Sequence, residues 1–233
     1  MKIHRFIDNF DLSNKELEIK GEIAHQIIKV LRLKIGEKIE LCNEESVCAL
    51  SKIKNITEKE VLVDIENMIQ KDNTEKQNKV TLFCTILKKE NFEIVVQKST
   101  ECGVYKIVPV ISSHTIKTGL NLERLEKIAK EASEQSGRTY VPEITEIINF
   151  EKSLEFVNKN DLNILFDKSG EFLNKIEKNS PNINLWIGPE GGWTEKEIQK
   201  AKENKFIVAS LGDLTLRAET AAIISTYLTS NIK

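Results

Sequence analysis

Three stretches of this sequence combine residue types and spacings that suit chemistry. Gly188-Pro189-Glu190-Gly191-Gly192-Trp193 gathers three glycines and a proline within five residues. Such a loop reaches backbone conformations closed to other residues and can lay main-chain N–H and C=O groups against a planar ligand. It is neither a GxGxxG pyrophosphate cradle nor a phosphate loop ending in Gly-Lys-Ser/Thr. The other reading is a tight turn feeding a capped helix, since Thr194 and Glu197 stand at capping-box spacing. Leu216-Arg217-Ala218-Glu219-Thr220 sets a guanidinium two residues before a carboxylate at the start of an apolar helix. Arg217 then holds an anionic or carbonyl group and Glu219 orients it. Equally, the two form an exposed pair worth ~0–1 kcal/mol at the positive end of a helix. In Glu134-Gln135-Ser136-Gly137-Arg138, Gln135 and Arg138 are donors suited to phosphates and base edges. Arg138 also suits the negative end of the helix it closes. Lys88, Gln97 and Lys98 add donors nearby in sequence.

Positioning these groups requires a scaffold, and the sequence spells out two. Residues 1–70 read as short strands at Ile3–Ile7, Glu16–Lys20, Lys38–Cys42, Val47–Asn55 and Val61–Glu66. One helix, Glu22–Leu33, interrupts them with Ile23, Ile27, Val30 and Leu31 along a stripe. That pattern predicts a small β-barrel-like domain. Residues 71–79 hold no apolar side chain and read as a linker. From residue 80 to 233, strands and helices alternate. Strands are predicted at Val80–Leu87, Ile107–Ile111, Asn163–Phe166, Ile183–Ile187 and Phe206–Leu211. Helices are predicted at Asn91–Cys102, Leu122–Ser136, Thr194–Asn204 and Glu219–Thr229, the first two stopped by Gly103 and Gly137. The alternation predicts an α/β fold with a mostly parallel sheet covered by helices on both faces. Ligands of such sheets bind beyond the carboxyl ends of the strands. Three loops qualify: Asp167–Gly170 after Phe166, Gly188–Trp193 after Ile187, and Gly212–Thr220 after Leu211.

Composition narrows the class. The chain has 34 basic and 36 acidic residues for a net charge of −2, with 40% hydrophobic residues. That excludes a generally basic nucleic-acid coat, yet residues 75–140 carry a net +3 and form the basic segment. No apolar run is long enough to span a bilayer, and the N-terminal residues show no leader pattern. Cys42, Cys48, Cys84 and Cys102 form no CxxC pair and have no histidine at ligand spacing, so no metal is expected. Cys84 reads as a small buried hydrophobe. A chain this large needs no disulfide framework, and the expected compartment is the reducing cytoplasm.

Five blocks together make the sequence recognisable: His25-Gln-Ile-Ile-Lys-Val-Leu-Arg32-Leu, Gln97-Lys98-Ser-Thr-Glu101-Cys-Gly103-Val, Glu134-Gln-Ser-Gly-Arg138, Gly188-Pro-Glu-Gly-Gly192 and Leu216-Arg-Ala-Glu-Thr220-Ala. In this order they resemble the RsmE family of 16S ribosomal RNA (uridine-N3)-methyltransferases, within the SPOUT superfamily. The resemblance covers nearly the whole chain. It implies a PUA-like RNA-binding domain at 1–70 and, at 80–233, a SPOUT domain with a C-terminal deep trefoil knot. S-adenosylmethionine would lie in the knot, against Leu165, Phe166, Gly188, Pro189, Glu190, Gly191, Gly192, Leu211, Gly212, Leu216, Arg217, Ala218 and Thr220. The family's members are homodimers with a shared RNA site. Five positions depart from the family pattern: Leu214 and Asn91 stand where basic residues are usual, His114 replaces an arginine, Ala218 replaces a threonine, and Trp193 replaces the more usual phenylalanine.

The chemistry implied is methylation of N3 of one uridine in the 16S rRNA of the small ribosomal subunit. The base must be turned out of any duplex to expose N3. Glu219 and Glu190 are the candidate bases or water orienters. Arg217 is the candidate for stabilising charge on the uracil carbonyl oxygens. On the RNA side the candidates are Arg5, His25, Arg32, Lys88, Gln97, Lys98, Gln135 and Arg138, with His4 and His25 ranked below Arg5 and Arg32. Two other classes remain: a SPOUT methyltransferase acting on another RNA, and a non-catalytic RNA-binding ribosome assembly factor.

Overall fold

The computed structural model describes residues 3–43, 45–69, 79–116, 119–177 and 180–230. The expected linker, 71–79, lies outside the described residues except for Lys79, which opens a strand. The chain forms two compact units, Met1–Asp72 with Ser133–Val141, and Asn73–Ala132 with Pro142–Lys233. Ser133–Val141 therefore belongs with the first unit, a long-range return that the sequence division at residue 70 does not contain.

In the first unit, β1 (His4–Ile7), β2 (Glu16–Ile19), β3 (Lys38–Cys42), β4 (Cys48–Ile56) and β5 (Val61–Ile69) form one sheet in the order β1-β3-β4-β5-β2. Only β1 and β3 run parallel. Alternating residues Ile39, Leu41, Ile53, Val61 and Val63 point to one core. Ile23, Ala24 and Ile27 cover it from the helical segment. The helix expected over Glu22–Leu33 is shorter. α1 (Gly21–His25) passes into a π-helical turn, Gln26–Val30, and the chain leaves it at Arg32 with φ 53°. A left-handed conformation costs a non-glycine residue ~1–2 kcal/mol.

Three expectations change in this unit. The β3–β4 register sets Cys42 opposite Cys48, and the two are joined by a disulfide, where a chain of this size was expected to need none. Arg5 and Arg138, expected as RNA contacts, are buried. The Arg5 guanidinium grips both Glu40 carboxylate oxygens at 2.7 Å and donates to the Arg138 carbonyl at 2.8 Å. The Arg138 side chain packs its guanidinium over the Tyr140 ring at 4.3 Å, and the residue is 4% exposed. Glu134 accepts from the Ile7 amide at 3.0 Å. These groups hold the Ser133–Val141 return against β1 and are turned inward, away from any phosphate.

The second unit carries a seven-stranded sheet in which every pairing is parallel. Its strands are β6 (Lys79–Thr85), β7 (Lys106–Ile111), β8 (Glu143–Ile144), β9 (Ile148–Asn149), β10 (Leu162–Phe172), β11 (Asn182–Ile187) and β12 (Ile207–Ser210). The order is β12-β10-β11-β6-β7-β8, with β9 also beside β7. β6, β7 and β11 are near-continuous apolar runs because both faces of a parallel sheet are covered. α2 (Lys89–Glu101), α3 (Leu122–Ser136), α4 (Phe150–Glu155), α5 (Glu195–Glu203) and α6 (Ala218–Ser230) connect them. β8, β9 and α4 escape sequence reading. They are two-residue strands and one short helix, below the length at which periodicity shows. Pro109 falls in the gap between their pairings, Lys106–Ile107 with β8 and Val110–Ile111 with β9, where its missing N–H costs no ladder bond. An aromatic stack centres the core: Phe83 lies parallel to Trp186 at 4.1 Å, and Phe206 meets Trp186 at 4.4 Å. Among the described residues, no helix is long and apolar enough to cross a membrane.

The buried pair gives a stability test. Arg5→Ala strands the Glu40 carboxylate without its partner, and urea unfolding should show a loss of about 3–5 kcal/mol. A loss no larger than that of an exposed ion pair contradicts a structural role for Arg5.

Candidate active site

The carboxyl ends of β6, β7, β11 and β12, with the middle of β10 at Phe166–Lys168, open onto one cavity of about 1350 Å³. That exceeds the ~300–1,000 Å³ typical of a pocket for one small ligand, and leaves room for two. One wall is Ile187–Trp193, another is Ala209–Gly212 and Leu214–Glu219 with Ala221, and Phe166–Lys168 lies between. Ile86–Lys88 and Ser113–Ile116 close the remaining side.

Local bonds fix the glycine-rich wall. Gly192 adopts φ 71° and donates its amide to the Pro189 carbonyl at 2.9 Å. Trp193 turns back under the loop, its indole Nε1 donating to the Phe166 carbonyl at 3.1 Å. A Cβ at residue 188 would sit 3.1 Å from that ring, so Gly188 is what lets the indole fit. Thr194 then caps α5 with a full capping box, as its spacing predicts. The capping carboxylate does more than cap. Glu197 accepts from the Thr194 amide and hydroxyl at 2.8 Å through one oxygen, and from the Ser113 amide at 2.9 Å through the other. The loop after β7 is thereby tied to the loop after β11.

The loop expected after Phe166 is a bulge inside β10 rather than its end. Phe166 and Glu171 both register opposite Ala209, and Asp167–Gly170 loops out between them. Gly170 closes the bulge where a Cβ would stand 2.5 Å from the Val208 carbonyl group, a backbone clash no rotamer relieves.

Charge in the cavity is mixed. Lys88, Lys168 and Arg217 line it beside Asp167, Glu190 and Glu219. The Glu219 Oε2 atom is buried with no hydrogen-bond partner. Such an oxygen at a cavity wall lacks a donor that a ligand would supply. Burial pushes the Cys84 thiol up, and the carboxylates of Glu190 and Glu219 push it further, so Cys84 is an inert filler beneath the site. Of the residues expected at the cofactor, Phe166, Gly188–Gly192, Leu211, Gly212 and Leu216–Ala218 line the cavity. Leu165 does not: its side chain belongs to the aromatic core. Thr220 is also off the wall. Lys88, expected on RNA, stands at the cavity. His114 stands out in the sequence only as a departure from the family pattern and Ile86 and Leu87 only as a strand end; Ser113, Thr115 and Ile116 carry no glycine or charge pattern, and none of these was expected at the cavity. Only the strand order brings the ends of β6 and β7 to the site.

Glu197 makes the coupling of the two loops testable. Burial alone would raise its pKa, but the Ser113 and Thr194 bonds outweigh it and hold the carboxyl below the ordinary glutamate value of 4.5. A depressed folded pKa stabilises the native state above the unfolded pKa and is lost as pH falls through the folded value. Urea midpoints should therefore drop on acidification below about 4.5 in the wild type, and less steeply in Glu197→Gln. Parallel pH curves for the two proteins contradict this.

A family model described as an RNA methyltransferase domain matches residues 74–230, and one described as an RNA methyltransferase PUA domain matches residues 19–66. The chain is 33% identical to the ribosomal RNA small subunit methyltransferase E of Mesomycoplasma hyopneumoniae, across 99% of this chain and 100% of that one. It is 31% identical to the Rickettsia conorii protein of the same name, across 96% and 93%. The crystal structure of ribosomal RNA small subunit methyltransferase E from Neisseria gonorrhoeae, bound to S-adenosyl methionine, superposes with a TM-score of 0.91 at 30% identity, covering 97% of this chain and 96% of that one. With the parallel sheet, the loop cavity and these full-length likenesses together, the chain belongs to the RsmE family of ribosomal RNA small subunit methyltransferases.

Proposed function

We propose that this protein transfers a methyl group from S-adenosylmethionine to N3 of one uridine in 16S rRNA of the small ribosomal subunit. The observation that carries the reading is the cavity itself. Its size suits two ligands, its walls are glycine-rich main chain suited to a planar ring, and Glu219 Oε2 lacks a donor. The donor molecule supplies a methyl group already activated on a positively charged sulfur. The protein's task is then positioning. Gly188–Gly192 and Leu211–Leu216 would hold the cofactor through backbone groups. Arg217, exposed at the cavity rim, would stabilise negative charge spreading onto the uracil carbonyl oxygens. Glu190 and Glu219 are the carboxylates available to orient water or the base.

The same reading covers the finer architecture. The chain reaches α6 from the edge strand β12, yet α6 packs on α2, β6 and β11. That return across the ends of β10 and β11 supports the trefoil knot. Packed side by side, α2 and α6 leave Ile94, Tyr227 and Leu228 exposed, which supports a homodimer through this face. The first unit acts as the PUA-like, barrel-type RNA-binding domain. His25 and Arg32 there, with Gln97 and Gln135, are exposed on the surface offered to RNA, while Lys98 is engaged by Glu101 at 2.8 Å. The cytoplasm is where such a substrate lies.

Mapping methyl groups on ribosomal RNA from a deletion strain, with and without the gene restored, tests the proposal. One small-subunit uridine should lose and regain N3 methylation. An unchanged ribosomal map with a transfer RNA methyl lost supports the other RNA target, and an unchanged map with defective subunit assembly supports the non-catalytic factor. Arg217→Ala should slow methylation about 10²–10³-fold. A wild-type rate in that variant removes Arg217 from the chemistry.

A further inference from the structure

His114 enters the cavity from the loop after β7 and is held at two points. Its Nδ1 lies 3.0 Å from the Gly192 carbonyl oxygen. A carbonyl only accepts, so Nδ1 carries the proton and donates it. The ring also rests on Gly191, where a Cβ would stand 3.3 Å from the His114 Cβ and 3.5 Å from Nδ1. In the neutral imidazole a protonated Nδ1 leaves Nε2 as a lone-pair acceptor. Nε2 has no hydrogen bond to any described residue.

We propose that His114 is the proton acceptor of the reaction: Nε2 takes the N3 proton of the uracil as the methyl group is accepted there. The inference rests on the functional reading above and deepens it. The N3–H bond breaks, its electron pair forms the new N3–C bond, and the carbon–sulfur bond of the donor breaks with its pair left on sulfur. The proton moves to Nε2, and the imidazolium returns it to solvent. An imidazole nitrogen is a stronger base than a carboxylate, which favours His114 over Glu190 and Glu219 for this transfer. The arrangement repeats the logic of a base whose far nitrogen is fixed by a hydrogen bond, here from Nδ1 to a main-chain carbonyl.

The charged groups around the cavity are Lys88, Asp167, Lys168, Glu190, Arg217 and Glu219. Behind the His114 loop, Glu197 accepts from the Ser113 amide.

Two measurements on the full-length protein decide the matter. Long-range ¹⁵N–¹H spectra of the ligand-free protein, assigned by comparison with His114→Asn, should show the Nδ1–H tautomer for His114. Methylation of small-subunit RNA should fall about 10²–10⁴-fold in His114→Asn, with S-adenosylmethionine affinity by calorimetry unchanged. The acid-side fall in the wild-type pH–rate profile should vanish in the variant. Asn can still donate to the Gly192 carbonyl, so retained cofactor affinity separates lost chemistry from a lost fold. An Nε2–H tautomer, or a variant with wild-type rate and the same acid limb, overturns the inference alone. A wild-type protein that leaves uridine N3 unmethylated overturns the functional reading and the inference with it.

Discussion

The indole of Trp193 sets the spacing on which the site depends. Its Nε1 donates to the Phe166 carbonyl, its ring fills the space that Gly188 leaves open, and its outer edge meets Phe150 at 5.0 Å. One buried side chain thus clamps the last hydrogen-bonding position of β10 before its bulge to the loop that follows β11. Breaking that bond would orphan a donor in a 7% exposed residue, a cost of ~1–3 kcal/mol, so the two walls are held at a fixed separation. A preorganised wall of this kind is what a reaction governed by positioning requires.

Glu197 extends the same frame to a third loop. Its carboxylate joins the start of α5 to the Ser113 amide, and His114, next along the chain, meets the Gly192 carbonyl. Seen from the sheet, the cavity is built at the carboxyl ends of β6, β7, β11 and β12, completed by the β10 bulge and the start of α6, and the cross-loop bonds replace the ladder that stops there. Gly188, Gly191, Gly192 and Gly212 stand at the turns of that wall. The buried Cys84 thiol and the unpartnered Glu219 oxygen lie where the wall meets the core, one inert and one awaiting a donor.

What the residues disclosed by themselves depended on how local the cause was. The Leu122–Ser136 helix and the Thr194 capping box were legible because spacing and caps act within a few residues. The glycine-rich loop was legible as a site because only unusual backbone geometry needs such composition. Arg5 and Arg138 looked like phosphate donors, but their pairing spans 133 residues, and no local pattern reveals which arginines a fold will bury. The disulfide was hidden for the same reason, since it follows from the β3–β4 register. The π-helical turn, the β10 bulge and the two-residue strands beside β7 lie below the resolution of a periodicity argument. Ser113 and His114 join the site through strand order, and five-block recognition supplied the family without supplying that neighbourhood.

The central claim is that one cavity, framed by main chain at 188–192 and 211–216, seats the methyl donor with a base beside it. A crystal structure with bound S-adenosylhomocysteine tests this most directly. The account predicts the product against those two backbone segments, with one of its donors meeting Glu219 Oε2 and the His114 face left open for a base. Product bound away from these loops, or a cavity left empty at saturating concentration, would contradict it.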